Sequence, residues 1–334
     1  MKKNQPKPTA HDVASLAGVS QPTVSRVFTP GASVSEEKRE RVMVAAQELG
    51  YSPNILARGL TTRRSKIIGI VIQNLENPFY SEVLAKFYKK LSPRGYQFLF
   101  VNAEDDALDE DAAAKLRGYN VEAVIITDAL ISSKAAHWFR GSGIPVVLFN
   151  RYVEDIECHI VCCDNYEGGK SIGDYLVKNG HRHLGFISGP VSTSTTRERE
   201  RGFREALIQA GIKDFQIVRG AYTYEHGFHS ARSLLEKGNR VDALFCANDI
   251  IGIGAIEGIR KLGLTVPKDV AVIGFDDITL SNWPSYNLTT WKQPIDEMID
   301  RTIDLILSDL EGAEKAAPSY HLIKGHLVER GTVF

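Results

Sequence analysis

The chain is poor in the residues that mark disulfide, metal or membrane proteins. Its 334 residues include four cysteines, Cys158, Cys162, Cys163 and Cys246, which show no CxxC spacing, and no histidine pair completes a zinc pattern. No apolar run approaches membrane-spanning length, and the chain begins without a signal peptide. We therefore expect a cytoplasmic protein with reduced core thiols, no metal site and no cofactor.

Motifs of nucleotide-dependent enzymes are also absent. There is no P-loop and no GxGxxG, because Gly252 and Gly254 fall inside a helical pattern. No nucleophile, base or metal constellation stands out, so we predict no catalytic residues and no enzyme activity. The chain has 40 basic and 41 acidic residues. This even balance means that a polyanion would have to be bound by one part of the chain.

A helical hairpin with a polar face follows residue 8. Apolar residues at helical spacing predict two short helices around the turn Gly18-Val19-Ser20. These residues are Val13, Ala14, Leu16 and Ala17 in the first helix, and Val24 and Val27 in the second. Ser20 is placed to cap the second helix, and Pro22 lies in its first turn, where a missing N–H costs nothing.

The outward residues of the second helix are short hydrogen-bonding groups and one guanidinium: Gln21, Thr23, Ser25 and Arg26. Such groups can read base edges and contact phosphates in a major groove. The pattern predicts a DNA-binding helix-turn-helix, and its alternative is an ordinary helical hairpin. Residues 1–66 contain eleven basic and five acidic residues, against 29 and 36 in the remainder. This basic end favours a nucleic-acid contact confined to one module.

A third helix and a short connecting segment complete this region. Ser35 is placed to cap the helix and Gly50 to end it, and Val42, Ala45, Ala46 and Leu49 should close a three-helix core. Tyr51-Ser52-Pro53 then breaks the chain before residues 54–60. That segment is either a linker or a helix that folds only in a minor groove, with Leu60 as a wedge between base pairs.

Strands alternate with helices from residue 67 onward, which predicts an α/β core with parallel sheets and right-handed crossovers. Strand-like runs cover 67–72, 97–101, 123–127, 145–149, 184–187, 216–218, 243–246 and 270–275, and amphipathic stretches cover 79–91, 168–179, 197–210, 224–237, 250–262 and 295–310. More than 260 residues is long for one core, so two doubly wound subdomains are expected, with Cys163-Asp164 as the first crossing.

Polar and aromatic residues follow the carboxyl ends of these strands, where open parallel sheets bind ligands. They include Asn74, Asn77, Phe79, Tyr80, Asp128, Asn150, Arg151, residues 192–196, Asn248, Asp249, Asp276 and Asp277. Amides and carboxylates beside aromatic rings suit a polyhydroxylated ligand. Each has a simpler alternative: Asn77 can start a turn, Asn248 can cap a helix, and Asp276 can lie in a solvated turn.

The order of these motifs resembles the LacI/GalR family of bacterial repressors essentially from end to end. The matching residues are Asp12-Val13-Ala14, Ala17-Gly18-Val19-Ser20, Thr23-Val24-Ser25-Arg26-Val27, Gly50-Tyr51, Pro53-Asn54, Ala57, Arg58 and Leu60. The resemblance implies an all-α helix-turn-helix headpiece joined to a periplasmic-binding-protein-like core of two doubly wound parallel-sheet subdomains. The domains it implies are residues 1–52 for DNA binding, 53–66 for a hinge helix and linker, and 67–334 for effector binding and dimerisation. Within the last, the N-subdomain would cover about 67–163 and 294–322, and the C-subdomain about 164–293 and 323–334.

The resemblance also implies roles in DNA binding. Gln21, Pro22 and Arg26 would read bases, while residues of the hinge would enter the minor groove. The predicted DNA contacts are Thr9, Ser20, Gln21, Pro22, Thr23, Ser25, Arg26, Asn54, Ala57 and Leu60. Two departures from the family pattern matter. Pro22 offers no side-chain hydrogen bond, and Gly59 weakens a hinge helix.

An effector site is implied in the same way. Arg199 falls on the family's effector-binding arginine, Asp276 on its ligand carboxylate and Tyr222 on a stacking aromatic. Without the resemblance, Arg199 would be a surface arginine in the run 197–201. The predicted effector residues are Asn77, Phe79, Tyr80, Asp128, Asp164, Thr193, Thr195, Arg199, Tyr222, Asn248 and Asp276.

The sequence thus predicts a transcriptional regulator, foremost a repressor. It would bind a palindromic operator as a homodimer under control of a small effector, and it would not associate with membranes. A sugar or sugar derivative suits the site, although purine-type effectors occur on this scaffold, and the sign of control is open. The chain ends without a heptad tail, which favours the dimer over a tetramer. The alternative is a cytosolic ligand-binding or catalytic α/β protein with a non-DNA-binding helical appendage.

Overall fold

A computed structural model describes most of the chain, which divides into two units, Met1–Ser65 and Lys66–Phe334. The described residues are 8–29, 31–52, 64–103, 107–108, 110–128, 130–131, 133–153, 157–236, 240–312 and 317–334. The predicted hinge contacts Asn54, Ala57 and Leu60 lie outside these residues.

The first unit contains the helices α1 (Ala10–Ala17), α2 (Gln21–Val27) and α3 (Glu36–Leu49) around a small apolar core. Its buried residues are Val13, Ala14, Ala17, Val24, Val27, Val42, Ala45 and Ala46. The prediction that Leu16 belongs to the apolar side of α1 is wrong, because its side chain is 49% exposed. Gly18 and Gly50 end their helices with a positive φ, as glycine readily allows.

Helix starts in this unit differ from the sequence expectation in one detail. Ser20 and Ser35 occupy the N-cap positions of α2 and α3, but neither side chain bonds to the helix backbone. The Ser20 hydroxyl instead hydrogen-bonds with that of Thr23 at 2.9 Å. The side-chain cap belongs to α1, where Thr9 and Asp12 form a reciprocal capping box.

Two arginines of α3 hold the ends of the other two helices. Arg41 Nη2 donates to the carbonyls of Ala17 at 2.5 Å and Gly18 at 3.2 Å, at the end of α1. Arg39 Nη1 donates to the carbonyl of Val27 at 3.2 Å, at the end of α2. These carbonyls lack helical partners, so the guanidinium groups fix the angle between the helices of the helix-turn-helix.

In the residues described, the second unit contains two six-stranded sheets and a two-stranded one. The first sheet has the order β13-β7-β6-β4-β1-β2 and the second β14-β12-β11-β10-β8-β9. The strands are β1 (Ile67–Ile72), β2 (Gln97–Asn102), β3 (Ala107–Leu108), β4 (Ala123–Ile126), β5 (Leu130–Ile131), β6 (Val146–Phe149), β7 (His159–Cys163), β8 (Leu184–Ser188), β9 (Gln216–Arg219), β10 (Ala243–Cys246), β11 (Ala271–Asp276), β12 (Thr289–Lys292), β13 (Tyr320–Ile323) and β14 (His326–Val328).

The predicted two-sheet α/β fold is confirmed. Pairing in both sheets is parallel in the described part, apart from the antiparallel pair β12–β14. The chain passes from the first sheet to the second after Cys163, returns after Lys292, and crosses again between Ile323 and His326. Each predicted strand is present within two residues of its expected ends. Strands β3, β5, β7, β12, β13 and β14 were not predicted.

Helices cover the sheets between these strands. They are α4 (Pro78–Leu91), α5 (Glu110–Gly118), α6 (Ser133–Gly141), α7 (Asn165–Lys178), α8 (Ser194–Gln209), α9 (Tyr224–Glu236), α10 (Asp249–Lys261) and α11 (Ile295–Glu311). The helices α5 and α6 were not predicted. The helices α7 and α8 begin three residues earlier than predicted, because Asp164 and Thr193 cap them.

The helices α7 and α8 pack with their backbones in direct contact. A Cβ added to Gly169 would lie 2.1 Å from the carbonyl oxygen of Arg199, and one added to Gly202 would lie 2.0 Å from that of Tyr166. Only glycine permits this approach. The contact fixes the start of α8, and therefore the position of the Arg199 side chain.

Candidate functional site

The outer face of α2 is exposed in the first unit. The side chains of Gln21, Pro22, Ser25 and Arg26 are exposed, Thr23 is half-buried, and Val24 and Val27 point into the core. Thr9 is exposed at the start of α1, where its hydroxyl is engaged with Asp12. The predicted DNA contacts on α2 thus share one accessible helix face, the geometry that a recognition helix needs.

In the second unit, the carboxyl ends of both sheets border two adjoining cavities. The inner cavity is about 20 Å³ and the outer cavity about 730 Å³. The inner cavity is lined by Asn77, Phe79, Tyr80, Asn150, Arg151, Thr195, Arg199, Tyr222, Asn248 and Asp276. The outer cavity is lined by Gln73, Asn74, Leu75, Glu76, Asn102, Asp128, Arg151, Pro190, Ser192, Thr193, Ala221, Tyr222 and Thr223. Of the predicted effector residues, all of which the structure describes, Asp164 is the one that lines neither cavity.

Arg199 is the central cation of the inner cavity and is only 2% exposed. Its Nε donates to Asn165 Oδ1 at 2.8 Å and its Nη1 to the carbonyl of Ala247 at 2.5 Å. The guanidinium also lies 3.6 Å from the ring centroid of Phe275, and Nη2 is 3.6 Å from Asp276 Oδ1. The alternative of a surface arginine is therefore excluded.

Asp276 ends β11 and is buried beside Arg199. Its Oδ1 accepts a hydrogen bond from Gln293 Nε2 at 2.7 Å. Burial raises the pKa of Asp276 to about 6, although the positive charge of Arg199 acts to lower it. Its backbone φ of 127° is unusual for a side-chain-bearing residue, and the turn Asp276-Asp277 is thus held against its local preference. The alternative of a solvated turn does not apply to Asp276.

A second buried acid, Asp249, supports this turn. It accepts hydrogen bonds from the Thr290 hydroxyl at 2.5 Å and from the N–H of Ile278 at 2.9 Å. Burial, followed by the charge of Asp276, raises the pKa of Asp249 well above its ordinary value. Its neighbour Asn248 caps α10 by accepting from the N–H of Ile251 at 3.0 Å, and it also lines the inner cavity. Asn248 therefore caps the helix, as the simpler alternative predicts, and also lines the cavity.

Asn150 follows β6 and lines the inner cavity; it was named among the polar residues that follow the strands but was left out of the predicted effector residues. Its Nδ2 donates to the hydroxyl of Tyr80 at 3.1 Å, while its buried Oδ1 has no partner in the described part of the chain. A buried acceptor without a partner is costly unless a ligand or water supplies a donor. The signal was present in the sequence, since Asn150 directly follows an apolar strand.

Tyr222 forms the partition between the two cavities. Its hydroxyl hydrogen-bonds with those of Thr196 at 2.6 Å and Thr195 at 3.0 Å, and the guanidinium of Arg151 lies 5.5 Å from its ring centroid. Burial alone would raise the pKa of Tyr222, but the positive charges of Arg199 and Arg151 lower it below its ordinary value. The ring is thus fixed in place where the two cavities meet.

The two other predicted aspartates have structural contacts. Asp128 accepts hydrogen bonds from the backbone N–H groups of Gln73 at 2.6 Å and Asn74 at 2.7 Å, and so holds the loop after β1. Asp164 caps α7 by accepting from the N–H of Glu167 at 2.9 Å. This cap orients the neighbouring Asn165, whose amide oxygen binds Arg199.

Hydrogen bonds among the described residues also join the two halves of the second unit beside the cleft. Glu82 Oε1, on α4, accepts from the N–H of Thr279 at 2.8 Å. The Ser194 hydroxyl accepts from the N–H of Tyr152 at 3.0 Å. The cleft is therefore bridged by hydrogen bonds as well as lined by both halves of the second unit.

The described residues carry neither a metal-binding cluster nor a reactive thiol. They contain no group of three or more histidine, cysteine or acidic side chains able to hold a metal, and no helix long and apolar enough to cross a membrane. All four cysteines are free, Cys162, Cys163 and Cys246 are buried, and burial raises the pKa of Cys158 to about 12. These thiols are therefore protonated and unreactive.

A helix-turn-helix unit followed by two parallel sheets around a polar cleft defines a ligand-binding, DNA-binding protein of the periplasmic-binding-protein-like class. A family model described as a periplasmic binding protein-like domain matches residues 174–333, and the model of the bacterial regulatory proteins of the lacI family matches residues 9–54. The HTH-type transcriptional regulator CelR of Thermobifida fusca is 33% identical over 97% of this chain and 98% of its own length. The chain belongs to the LacI family, and it is a transcriptional regulator with a helix-turn-helix.

Solved structures agree with this assignment. The Lac repressor dimer bound to operator and the anti-inducer ONPF matches with a TM-score of 0.85 and 27% identity, covering 98% of this chain and 99% of that one. The complex of the transcriptional regulator CelR with cellobiose matches with a TM-score of 0.71 and 31% identity, covering 97% and 99%. The family membership predicted from the sequence is therefore confirmed.

Proposed function

We propose that this regulator is a repressor that binds a near-palindromic operator as a homodimer and is controlled by a sugar or sugar derivative in the cleft. We propose an effector because buried polar groups from both sheets converge on one cleft, with Arg199 and Asp276 at its centre. The Lac repressor dimer on its operator and the CelR–cellobiose complex support the two halves of the proposal.

The proposed mechanism couples the two sites. Two chains present two α2 helices to the half-sites, and residues 53–66 act as a hinge between residues 1–52 and 67–334. A ligand that closes the cleft changes how the N-subdomains of the dimer meet, which controls whether the hinge segments fold in the minor groove. Effector and operator must then alter each other's affinity by the same factor. We further propose that the protein acts by binding without catalysis, in the cytoplasm, where its DNA lies.

The DNA half of the proposal is tested at Arg26. An operator is first selected from genomic DNA, and its affinity is measured by fluorescence anisotropy beside a random duplex of equal length. If Arg26 contacts a base bidentately, Arg26→Ala weakens operator binding by roughly 1–3 kcal/mol, with a smaller loss on random DNA. Unchanged operator affinity, or equal loss on both duplexes, would refute the assigned base contact.

The effector half is tested at Arg199, with Arg197 as the matched control. Both residues are on α8, but Arg197 is exposed and lines neither cavity. Arg199→Ala should abolish the effect of sugars on operator binding and leave ligand-free binding intact, whereas Arg197→Ala should retain both. Loss of ligand-free DNA binding in Arg199→Ala would show that the residue is structural and not part of an effector site.

A further inference from the structure

The two cavities of the cleft differ greatly in the size of group that they admit. The inner cavity, about 20 Å³, holds roughly one water-sized group. The outer cavity, about 730 Å³, is in the range of small-molecule sites and has the volume of roughly 24 water molecules. A sugar ring therefore fits in the outer cavity, and only a single hydroxyl fits in the inner one.

The partition between the cavities is fixed by its own contacts. The hydroxyl of Tyr222 is held by the threonines at the start of α8, and a Cβ on Gly189 would lie 2.4 Å from the Tyr222 ring. Arg151 stands against the ring from the other subdomain and donates to the carbonyl of Asp128. A ligand cannot enlarge the inner cavity by turning Tyr222 without breaking these contacts.

The inner cavity recognises hydroxyl groups and carries balanced charge. The guanidinium of Arg199 and the carboxylate of Asp276 are 3.6 Å apart and offset each other. Asn150 is only 3% exposed and its Oδ1 has no partner in the described residues, so this oxygen can accept a hydrogen bond from a ligand hydroxyl. These groups suit the end of a neutral polyol better than a free anion.

The charged residues of the outer cavity also favour a neutral ligand over an anion. Its charged lining residues, among those that the structure describes, are Glu76, Asp128 and Arg151. Asp128 is occupied by two backbone N–H groups. A phosphate or carboxylate ligand would meet one guanidinium and two acidic residues, whereas clusters of cations or backbone N–H groups are the usual anion sites. The other polar lining residues are the uncharged Gln73, Asn74, Asn102, Ser192, Thr193, Tyr222 and Thr223.

We propose that the effector is a neutral glycoside of at least two rings, of disaccharide size, with its rings in the outer cavity and a terminal hydroxyl in the inner one. The inference rests on the proposed sugar effector and narrows it. One ring would displace only a fraction of the water in a cavity of this size, whereas a second ring would fill more of it and meet more of the amides and hydroxyls that line it. Phosphorylated sugars, sugar acids and purines are excluded by this assignment.

Isothermal titration of the full chain tests the proposal with three sets of probes. The first set is cellobiose, lactose, maltose and sucrose, and the second is glucose, galactose, fructose and ribose. The third is glucose 6-phosphate, glucuronate and hypoxanthine. At least one disaccharide should bind tenfold or more tightly than every compound in the other two sets. A monosaccharide, anion or purine that binds as tightly as the best disaccharide overturns the proposal.

Substitutions that fill the outer cavity locate the second ring. Ala221 and Ser192 are exposed lining residues, so Ala221→Trp and Ser192→Trp should fold normally. Each should lower the disaccharide affinity at least tenfold, whereas Ala210→Trp, at an exposed position that lines neither cavity, should not change it. Unchanged disaccharide affinity in both lining variants overturns the assignment.

The same titrations separate the two-ring effector from sugar control of the regulator. Tight binding by a monosaccharide refutes the two-ring effector and leaves the sugar-controlled regulator standing. If no carbohydrate in the panel binds while operator binding is intact, the proposed sugar effector is itself refuted, and the inference with it.

Discussion

Asp276 links the stability of the fold to ligand binding through one ionisation. Its pKa is about 6 in the folded chain, against an ordinary value of 3.8. Because the folded pKa is the higher one, protonation stabilises the fold. This contribution is complete below about pH 3.8 and is lost as the pH rises through about 6. Between pH 7 and pH 5 the fold should therefore gain about 1 kcal/mol from this group.

The ionised carboxylate of Asp276 should also be needed to bind the effector. Effector affinity should therefore fall as the pH falls, whereas stability rises. If only ionised Asp276 accepts the ligand's hydroxyl, the ionised fraction falls from about nine-tenths at pH 7 to about one-tenth at pH 5. Effector affinity should then fall about tenfold over the interval in which the ligand-free fold becomes more stable. Both effects should disappear in Asp276→Asn, which should also bind the effector weakly at pH 7.

Urea unfolding at pH 5, 6, 7 and 8 measures the first effect, and titration with the tightest-binding disaccharide measures the second. Asp277→Asn is the control variant. Burial alone would raise the pKa of Asp277, but hydrogen bonds from Arg330 and Lys292 lower it below its ordinary value. Its stabilising contribution is present throughout this pH range and is lost only as the pH falls below about 3.8, so Asp277→Asn should cost stability equally at pH 5 and pH 7.

Two results would refute the argument. The first is a stability difference between wild type and Asp276→Asn that stays constant from pH 5 to pH 8. The second is a pH dependence of effector affinity that persists in Asp276→Asn, since another group would then be responsible.

Two further substitutions test how the site is held. Gly169→Ala places a methyl group against the carbonyl of Arg199, so it should cost about 1–3 kcal/mol in urea unfolding and weaken effector binding in titrations; Gly118→Ala, which meets no neighbour within 4 Å, should do neither. Equal behaviour of the two variants would contradict the close helix packing. Tyr222→Phe removes a hydroxyl held by Thr195 and Thr196 but keeps the ring, so it should cost about 1 kcal/mol of stability in urea while weakening disaccharide binding less than Tyr222→Ala does. Equal losses of affinity in both variants would show that the ring does not contact the ligand.

Local signals were enough to predict the first unit and most strands of the second. Helix ends at Gly18 and Gly50 follow from glycine's tolerance of positive φ, and the apolar runs of the central strands reflect burial on both faces. The edge strand β13 (Tyr320–Ile323) escaped prediction because half of its residues are exposed. Its pairing with β7 depends on residues more than 150 positions away, which no local pattern reveals.

The geometry of the candidate site was harder to predict from the sequence than the strands and helices were. Arg199 lies in an alternating run of charges that is typical of a solvated helix face, and without the family resemblance it would have been placed at the surface. Its burial depends on the close contact of α7 and α8 at Gly169 and on the partner Asn165. Gln293, which binds Asp276, is adjacent in space but lies on the segment after β12, a strand that the pattern did not show.

The two arginines of α3 that bind the ends of α1 and α2 also affect how operator binding responds to salt. Each phosphate neutralised by a protein cation releases counterions and contributes about −0.9 to the slope of log affinity against log salt concentration. Arg39 and Arg41 already donate to backbone carbonyls, so they are less able to replace those ions at the DNA. The headpiece should therefore release fewer counterions than the eleven basic residues of the first 66 positions suggest, which leaves operator binding less sensitive to changes in cellular ionic strength.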